Sequence, residues 1–254
     1  MEEDFESRHH RLEESNWWFV ARRDMVLRLL RGTRKDARIL DVGCAGGSLV
    51  KCLLERGFRG VSGVDASARA VRACRKRGLK PVFLMDGTRM SFPDRSFDVV
   101  VASDVLEHIR DERAALSEWG RVLKPGGKLI IFVPAFGFLW SGHDEANHHF
   151  RRYSKRELEE RLGSCGFMVE RSSYWNLVSF VPALLLRLFQ RRVQRKSADQ
   201  LYEMHPALDG MLRSALVVEN ALLARGAILP VGVSVLSVAR RDPGAEAAPP
   251  HPRS

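Results

Sequence analysis

Three histidines and three aspartates of this chain sit in contexts where they could do chemistry. His108 falls in VLEHI, and His143 and His149 fall in HDEANHHFRRY. An imidazole changes charge near neutral pH, so each suits removal of a proton from a hydroxyl. His108 could equally be bonded to the backbone and support a loop. His143, Asp144 and His149 could form a base with an orienting carboxylate, or part of a metal site. Their spacing matches no zinc pattern, so no metal is expected. Arg151, Arg152 and Tyr153 follow at once and are read as a clamp for an acceptor phosphate or carboxylate. The alternative is that they anchor the loop by pairing with Asp144 or Glu145. Trp17 and Trp18, in NWWF, are either a lid that excludes water from the site or simple packing of a helix.

The aspartates tell a different story. Asp41 stands immediately before the turn in ILDVGCAGGSLV, Asp65 in GVDAS and Asp86 in FLMDG. A dinucleotide turn needs G-x-G-x-x-G, and here those positions are Gly43, Ala45 and Ser48. No G-K-[ST] follows, which excludes a P-loop. A carboxylate beside a pyrophosphate would repel it. Asp41 suits instead a ligand carrying positive charge, such as an ammonium and a sulfonium. Asp65 can accept hydrogen bonds from two ribose hydroxyls. Asp86 can accept one from an adenine amino group.

The elements that must position these residues are legible as alternation. ARILDVG, GVSGVD, PVFLMD, FDVVVAS and KLIIFVP are short apolar runs suited to strands buried on both faces. SLVKCLLERG, SARAVRACRKRG and ERAALSEWGRVLKPGG lie between them with helical spacing and Gly or Pro closures. Such alternation predicts an open, mostly parallel sheet with right-handed crossovers, its ligand crevice at the carboxyl ends of the strands. Ser154 and Glu157 have capping-box spacing and mark a helix start. FMVERSSY and VSVLSVARR read as two more strands, separated by about 55 residues rich in helix formers.

As an ordered set, LDVGCAGG, GVDAS, FLMDG, SFDVVVASDVLEHI and RVLKPGGKLIIFVP resemble the class I S-adenosylmethionine-dependent methyltransferases, most closely the methyltransferase type 11 group. The resemblance implies an α/β fold: a Rossmann-like seven-stranded sheet with an antiparallel last strand. Around it come an N-terminal helical arm or lid over 1–36, a core over 37–175 and a helical insertion over 176–230. The last strand is expected over 231–240 and a disordered, proline-rich tail over 241–254. It implies S-adenosyl-L-methionine as cofactor, with Asp41, Gly43, Cys44, Ala45 and Gly47 around the methionine moiety. Asp65 and Ala66 would hold the ribose, Asp86 and Gly87 the adenine, and Ser103 would line the cofactor near the methyl group. The family turn usually has glycine where this chain has Ala45. Either φ stays negative there or binding is weaker. The outer segments are similar to bacterial methyltransferases connected with glycan, lipid or secondary-metabolite assembly.

A net charge of +10 invites a nucleic-acid reading. The arginines are read instead as solvated helix faces, because aromatic RNP strands and a GXXG loop are absent. An RNA methyltransferase and a non-catalytic cofactor-binding or membrane-associated scaffold stay as alternatives to transfer onto a small-molecule, glycan or lipid-linked acceptor, at oxygen. Four cysteines without a C-x-x-C pair suit a reducing cytoplasm. LVSFVPALLLRLF, residues 177–189, is too short to span a bilayer, is interrupted by Pro182 and carries Arg187. It is expected to pack over the substrate pocket. With RRVQRK after it, peripheral contact with the inner membrane surface is the other reading.

Overall fold

The computed structural model describes residues 16–193 and 205–244. The expectations for residues 1–15, for the second half of RRVQRK and for residues 245–254 lie outside the described residues.

Seven strands form one sheet: β1 (Arg38–Val42), β2 (Gly60–Asp65), β3 (Val82–Leu84), β4 (Phe97–Ser103), β5 (Leu123–Pro134), β6 (Phe167–Trp175) and β7 (Ser234–Arg241). Their order is β3-β2-β1-β4-β5-β7-β6, with β7 antiparallel to both its neighbours and the first five strands parallel. The order reverses between β1 and β4, which opens the ligand crevice of such sheets at their carboxyl ends. Period-two alternation divides the core. Ile39, Val61, Val99, Val101, Ile130 and Phe132 point to one side of the sheet, and Leu40, Val42, Val100, Ala102 and Ile131 to the other. Both sides are dry, so the strands read as unbroken apolar runs.

Helices cover both faces. The first layer joins side chains of α1 (Trp17–Leu29), α2 (Ser48–Glu55), α3 (Ala68–Lys76) and, much later in the chain, α8 (Pro206–Ala224). The second joins α4 (Glu112–Val122) and α6 (Lys155–Ser164). Helix α6 begins with the expected capping box, Ser154 and Glu157 each bonding the other's backbone N–H. The expected helix over ERAALSEWGRVLKPGG ends earlier than its glycines. α4 stops at Val122 and KPGG is already in β5, where the register against β4 shifts between Phe97 and Val99. Likewise β3 ends at Leu84, so Asp86 lies just beyond the strand in a bridge to Arg89.

The arm and the insertion meet across the end of β6. Ala21, Arg22, Met25 and Val26 are the buried face of α1. Asn220 on α8 accepts from the Trp175 indole at 2.8 Å and donates to the Ala21 carbonyl at 2.8 Å and to Asp24 at 2.9 Å. Its neighbour Glu219 accepts from the backbone N–H groups of Asn176 and Leu177. Two adjacent polar side chains thus satisfy groups on three segments, which fixes where both helices sit. Helix α7 (Phe180–Val193) runs through Pro182 without interruption. The proline sits in the first turn, where its missing N–H has no helical partner to lose. Among the described residues, no helix is long and apolar enough to cross a membrane.

Candidate active site

A cleft of about 1280 Å³ runs along the carboxyl ends of the parallel strands. It has two ends, built in different ways. At one end lie the turns after β1, β2 and β3. The N–H groups of Gly43 and Cys44 both donate to the Val64 carbonyl, which ties the first turn to β2. Asp65 accepts from the N–H of Ala45 and from that of Ser67, each at 2.8 Å, so it organises its own turn and the preceding one. Asp86 does the same locally for Thr88 through its Oδ1. Asp41 is 4% exposed. Three carboxylates from three adjacent strands therefore border one space, as the alternation in the sequence predicts.

The turn itself is held in the left-handed region. Gly43 has φ +68° and Gly47 +77°; an added Cβ would stand 2.5 Å from a Val105 methyl at Gly43 and 2.6 Å from Leu79 at Gly47. Ala45 also adopts positive φ, +43°. Of the two sequence alternatives, negative φ at this alanine is therefore wrong. The strain, on the order of 1 kcal/mol, is sustained because the residue is pinned at both ends. Its N–H is held by Asp65, and its carbonyl accepts from the Cys74 thiol at 3.2 Å. The hydrogen bond to the Cys74 thiol, and then burial, push the Cys44 thiol far above its ordinary range.

The other end is built from α1, the loops after β4 and β5, and α7. A short 3-10 turn, Leu106–His108, presents Glu107 and His108. The segment after β5, read from the sequence only as a loop, forms a short helix α5 (Gly142–Ala146). Its N-cap Ser141 and Asp144 make a capping box, and the carboxylate of Asp144 is fully buried. Arg152 grips Asp144 with two hydrogen bonds, 2.7 and 3.0 Å, and also donates to the Ala135 carbonyl. Nδ1 of His149 lies 2.9 Å from the same carboxylate. Burial alone would raise the Asp144 pKa, but the bonds from His149 and Arg152 outweigh it and hold the group well below the carboxylate range. The Phe150 N–H donates to the Glu107 carbonyl, which lays this loop against the 3-10 turn. The rings of His108 and His149 consequently meet edge to face, 4.5 Å between centroids.

All the residues expected from the sequence line the cleft except Gly47, Asp144, Arg151 and Tyr153. Gly47 caps α2 and packs against Leu79 and Cys74. Asp144 lies behind His149 and orients it. His143, expected to share that carboxylate, is instead beside Asn147. The arginine-tyrosine clamp is corrected most: Arg151 donates to the Arg110 carbonyl and pairs with Glu112, and the Tyr153 hydroxyl donates to Glu112 at 2.8 Å. Only Arg152 of the three reaches the cleft, and its guanidinium is committed to Asp144. All three side chains anchor the loop, but only Arg152 does so through the expected Asp144; Arg151 and Tyr153 use Glu112 instead. Trp17 and Trp18 both line the cleft, and Trp18 also packs edge-on against Trp175, 5.0 Å between centroids.

Arg22, Asp104 and Glu107, three charged residues of this end, were not singled out in the sequence. Arg22 is buried against Trp18, Phe132 and Trp175, with its guanidinium carbon 4.1 Å from the Trp175 ring centre. It donates to Asp104 and to Ser234, and Asp104 holds a positive φ of +56°. Burial lowers the Arg22 pKa, and Asp104 works against that. Glu107 is 1% exposed, and neither of its carboxylate oxygens has a hydrogen-bond partner among the described residues. Burial first, then the Asp104 charge, push its carboxyl well above the ordinary range. Arg187 on α7 donates to the Leu139 carbonyl and borders the same space. Arg22 carries no local signal, whereas Glu107 stands beside the selected His108.

With this geometry in place, the comparisons define a class. Residues 40–131 match the family model described as a methyltransferase domain, and with this sheet order the chain contains a class I methyltransferase domain. Among similar curated proteins is a ubiquinone biosynthesis O-methyltransferase of Xanthomonas oryzae pv. oryzae, 32% identical over 133 residues, or 46% of this chain and 55% of the relative. Another is a "Probable S-adenosylmethionine-dependent methyltransferase" of Mycolicibacterium smegmatis, 32% identical over 163 residues, 63% and 62% of the two chains. The matches thus span little more than half the length of these relatives. Solved structures share the fold at low identity. One is a chain from the complex of the Haloferax volcanii Trm112 methyltransferase activator with a methyltransferase, at TM-score 0.63, 18% identity and 96% of each chain. Another is the [4+2]-cyclase SpnF, at TM-score 0.56, 23% identity, and 87% and 81% of the two chains. The second shows that this fold also serves reactions other than methyl transfer.

Proposed function

We propose that this protein is an S-adenosylmethionine-dependent methyltransferase that methylates a hydroxyl oxygen of a small-molecule acceptor. The single observation that carries the reading is one cleft bordered at one end by Asp41, Asp65 and Asp86 and at the other by His108, His143 and His149. The residues fit the donor. The first turn is too tight for any side chain at Gly43, and its neighbouring charges are acids, which favour an ammonium and a sulfonium over a phosphate. Asp41 would face the positively charged end, Asp65 the ribose and Asp86 with Gly87 the adenine. When bound, this cofactor supplies an activated methyl group whose departure leaves a neutral thioether.

The chain's own part is alignment and proton removal. Holding acceptor and donor in line can itself contribute several kcal/mol to catalysis. Deprotonation of the hydroxyl falls to the imidazole end, where Asp144 fixes the His149 ring orientation. Trp17 and Trp18 line the cleft and would keep water from the sulfonium. Similarity to ubiquinone biosynthesis O-methyltransferases supports oxygen as the methylated atom. An acceptor with an apolar tail is a second reading, which α7 favours. It turns Ala183 and Arg187 to the cleft while Val181, Leu185, Leu188 and Phe189 are at least half exposed on its outside. That outer surface suits contact with a membrane from which such a tail would be drawn.

Calorimetry with S-adenosylmethionine tests the donor half. Binding should be present in the native chain and at least tenfold weaker in Asp65→Ala. Equal affinity in both would sink the proposal. Transfer of labelled methyl to a panel of phenols and catechols, with and without isoprenoid tails, tests the acceptor half. Donor binding without transfer to any of them would favour a non-catalytic scaffold.

A further inference from the structure

Of the three acids at the acceptor end of the cleft, two are held in ion pairs and the third has no hydrogen-bond partner among the described residues. Asp104 is paired with Arg22 at 3.0 Å and Asp144 with Arg152 at 2.7 Å. Glu107 is left buried with both oxygens unbonded among the described residues, although it borders the cleft. A buried, unpartnered carboxylate is costly, and native proteins retain one where something else completes it. Beside it stand His108 and His149. One donor atom from each of these three residues lies within 4.8 Å of the other two.

Within this cluster His149 is prepared in the way a ligand is. Nδ1 of His149 faces the buried Asp144 carboxylate, which leaves Nε2 as the nitrogen that can present a lone pair. Asp144 is in turn fixed by Arg152 and by the backbone and hydroxyl of Ser141. A carboxylate–imidazole pair held from behind, opening towards a second imidazole and an unbonded carboxylate, is a metal-ligand arrangement. No zinc spacing announces it in the sequence, because Glu107 and His149 come from loops after different strands.

We propose that Glu107, His108 and His149 bind one first-row divalent cation at the acceptor end of the cleft. Two nitrogens and a carboxylate oxygen suit zinc, manganese or ferrous iron rather than calcium or magnesium. Three protein ligands leave coordination positions open towards the cleft. An acceptor hydroxyl there would be acidified by the cation and would pass its proton to solvent or to His143, whose ring centre is 6.0 Å from that of His149. This use of the ion rests on the methyltransferase reading; its binding does not.

The experiment uses the full chain stripped with a chelator and titrated with cobalt(II), whose visible absorption reports nitrogen and oxygen ligation. A single equivalent should saturate the signal, zinc should displace it, and the melting temperature should rise on binding. Glu107→Gln and His108→Ala should each weaken cobalt affinity at least tenfold. His108 is exposed, so its variant tests the site without disturbing the core. Asp144→Asn, which removes no ligand, should weaken affinity 10- to 100-fold. Absence of a cobalt signal, or unchanged affinity in Glu107→Gln and His108→Ala, would overturn the site. Cobalt binding by a chain that does not bind S-adenosylmethionine would instead uphold the site and defeat the proposed function.

Discussion

The two ends border one cleft yet are held together by different means. The donor end is local. Asp65 organises Ala45 and Ser67, Asp86 organises Thr88, and the strained turn is closed by backbone bonds to β2. The acceptor end is assembled from segments far apart in the chain. Arg22 reaches Asp104 and Ser234, 82 and 212 residues away, and Asn220 reaches back to Ala21. A turn that satisfies its own polar groups tolerates change around it. A network of buried charges does not, because removing one partner strands the other.

The sharpest way to break that contrast is Arg22→Ala. It leaves Asp104 and three aromatic rings without their cation and should cost about 3 kcal/mol in chemical denaturation. Donor affinity should change far less. Loss below about 1 kcal/mol would mean that the long-range network contributes little. Gly43→Ala tests the seam between the ends, since the new methyl would strike Val105 on the acceptor side. With its positive φ, a cost of about 2 kcal/mol is expected by thermal unfolding, together with weaker S-adenosylmethionine binding in calorimetry. Trp18→Leu removes a ring from above Arg22 and half of the indole pair with Trp175. About 1–2 kcal/mol should be lost, as loss of aromatic and cation–π contact implies. Smallest is Ala45→Gly, which should raise stability by up to about 1 kcal/mol by relieving the left-handed alanine. A melting temperature that falls instead would show that the turn is not strained.

The legibility of the two ends differs for the same reason. Asp41, Asp65 and Asp86 were found because each closes an apolar run, and strand ends in such a sheet share an edge whatever their partners. His149 and Asp144 were both named, but the carboxylate was assigned to His143 as well. Only the folded loop shows that Asp144 faces His149 and that His143 goes to Asn147. Tyr153 and Arg151 were mistaken for ligand contacts because their types fit a clamp. Their partner Glu112 begins a helix some forty residues earlier, and no spacing rule connects them.

By itself the sequence determined the alternation of strands and helices, the one glycine-rich turn and the acids beside it. These follow from side-chain periodicity and from backbone conformations that each residue carries wherever it is placed. The tertiary structure alone decided that Arg22 is a buried cation, that Glu107 is an acid with no hydrogen-bond partner among the described residues and that two histidines from different loops touch. Burial and ion pairing depend on what arrives from elsewhere in the chain. The free energy of a charge is set by that company and not by its neighbours in sequence.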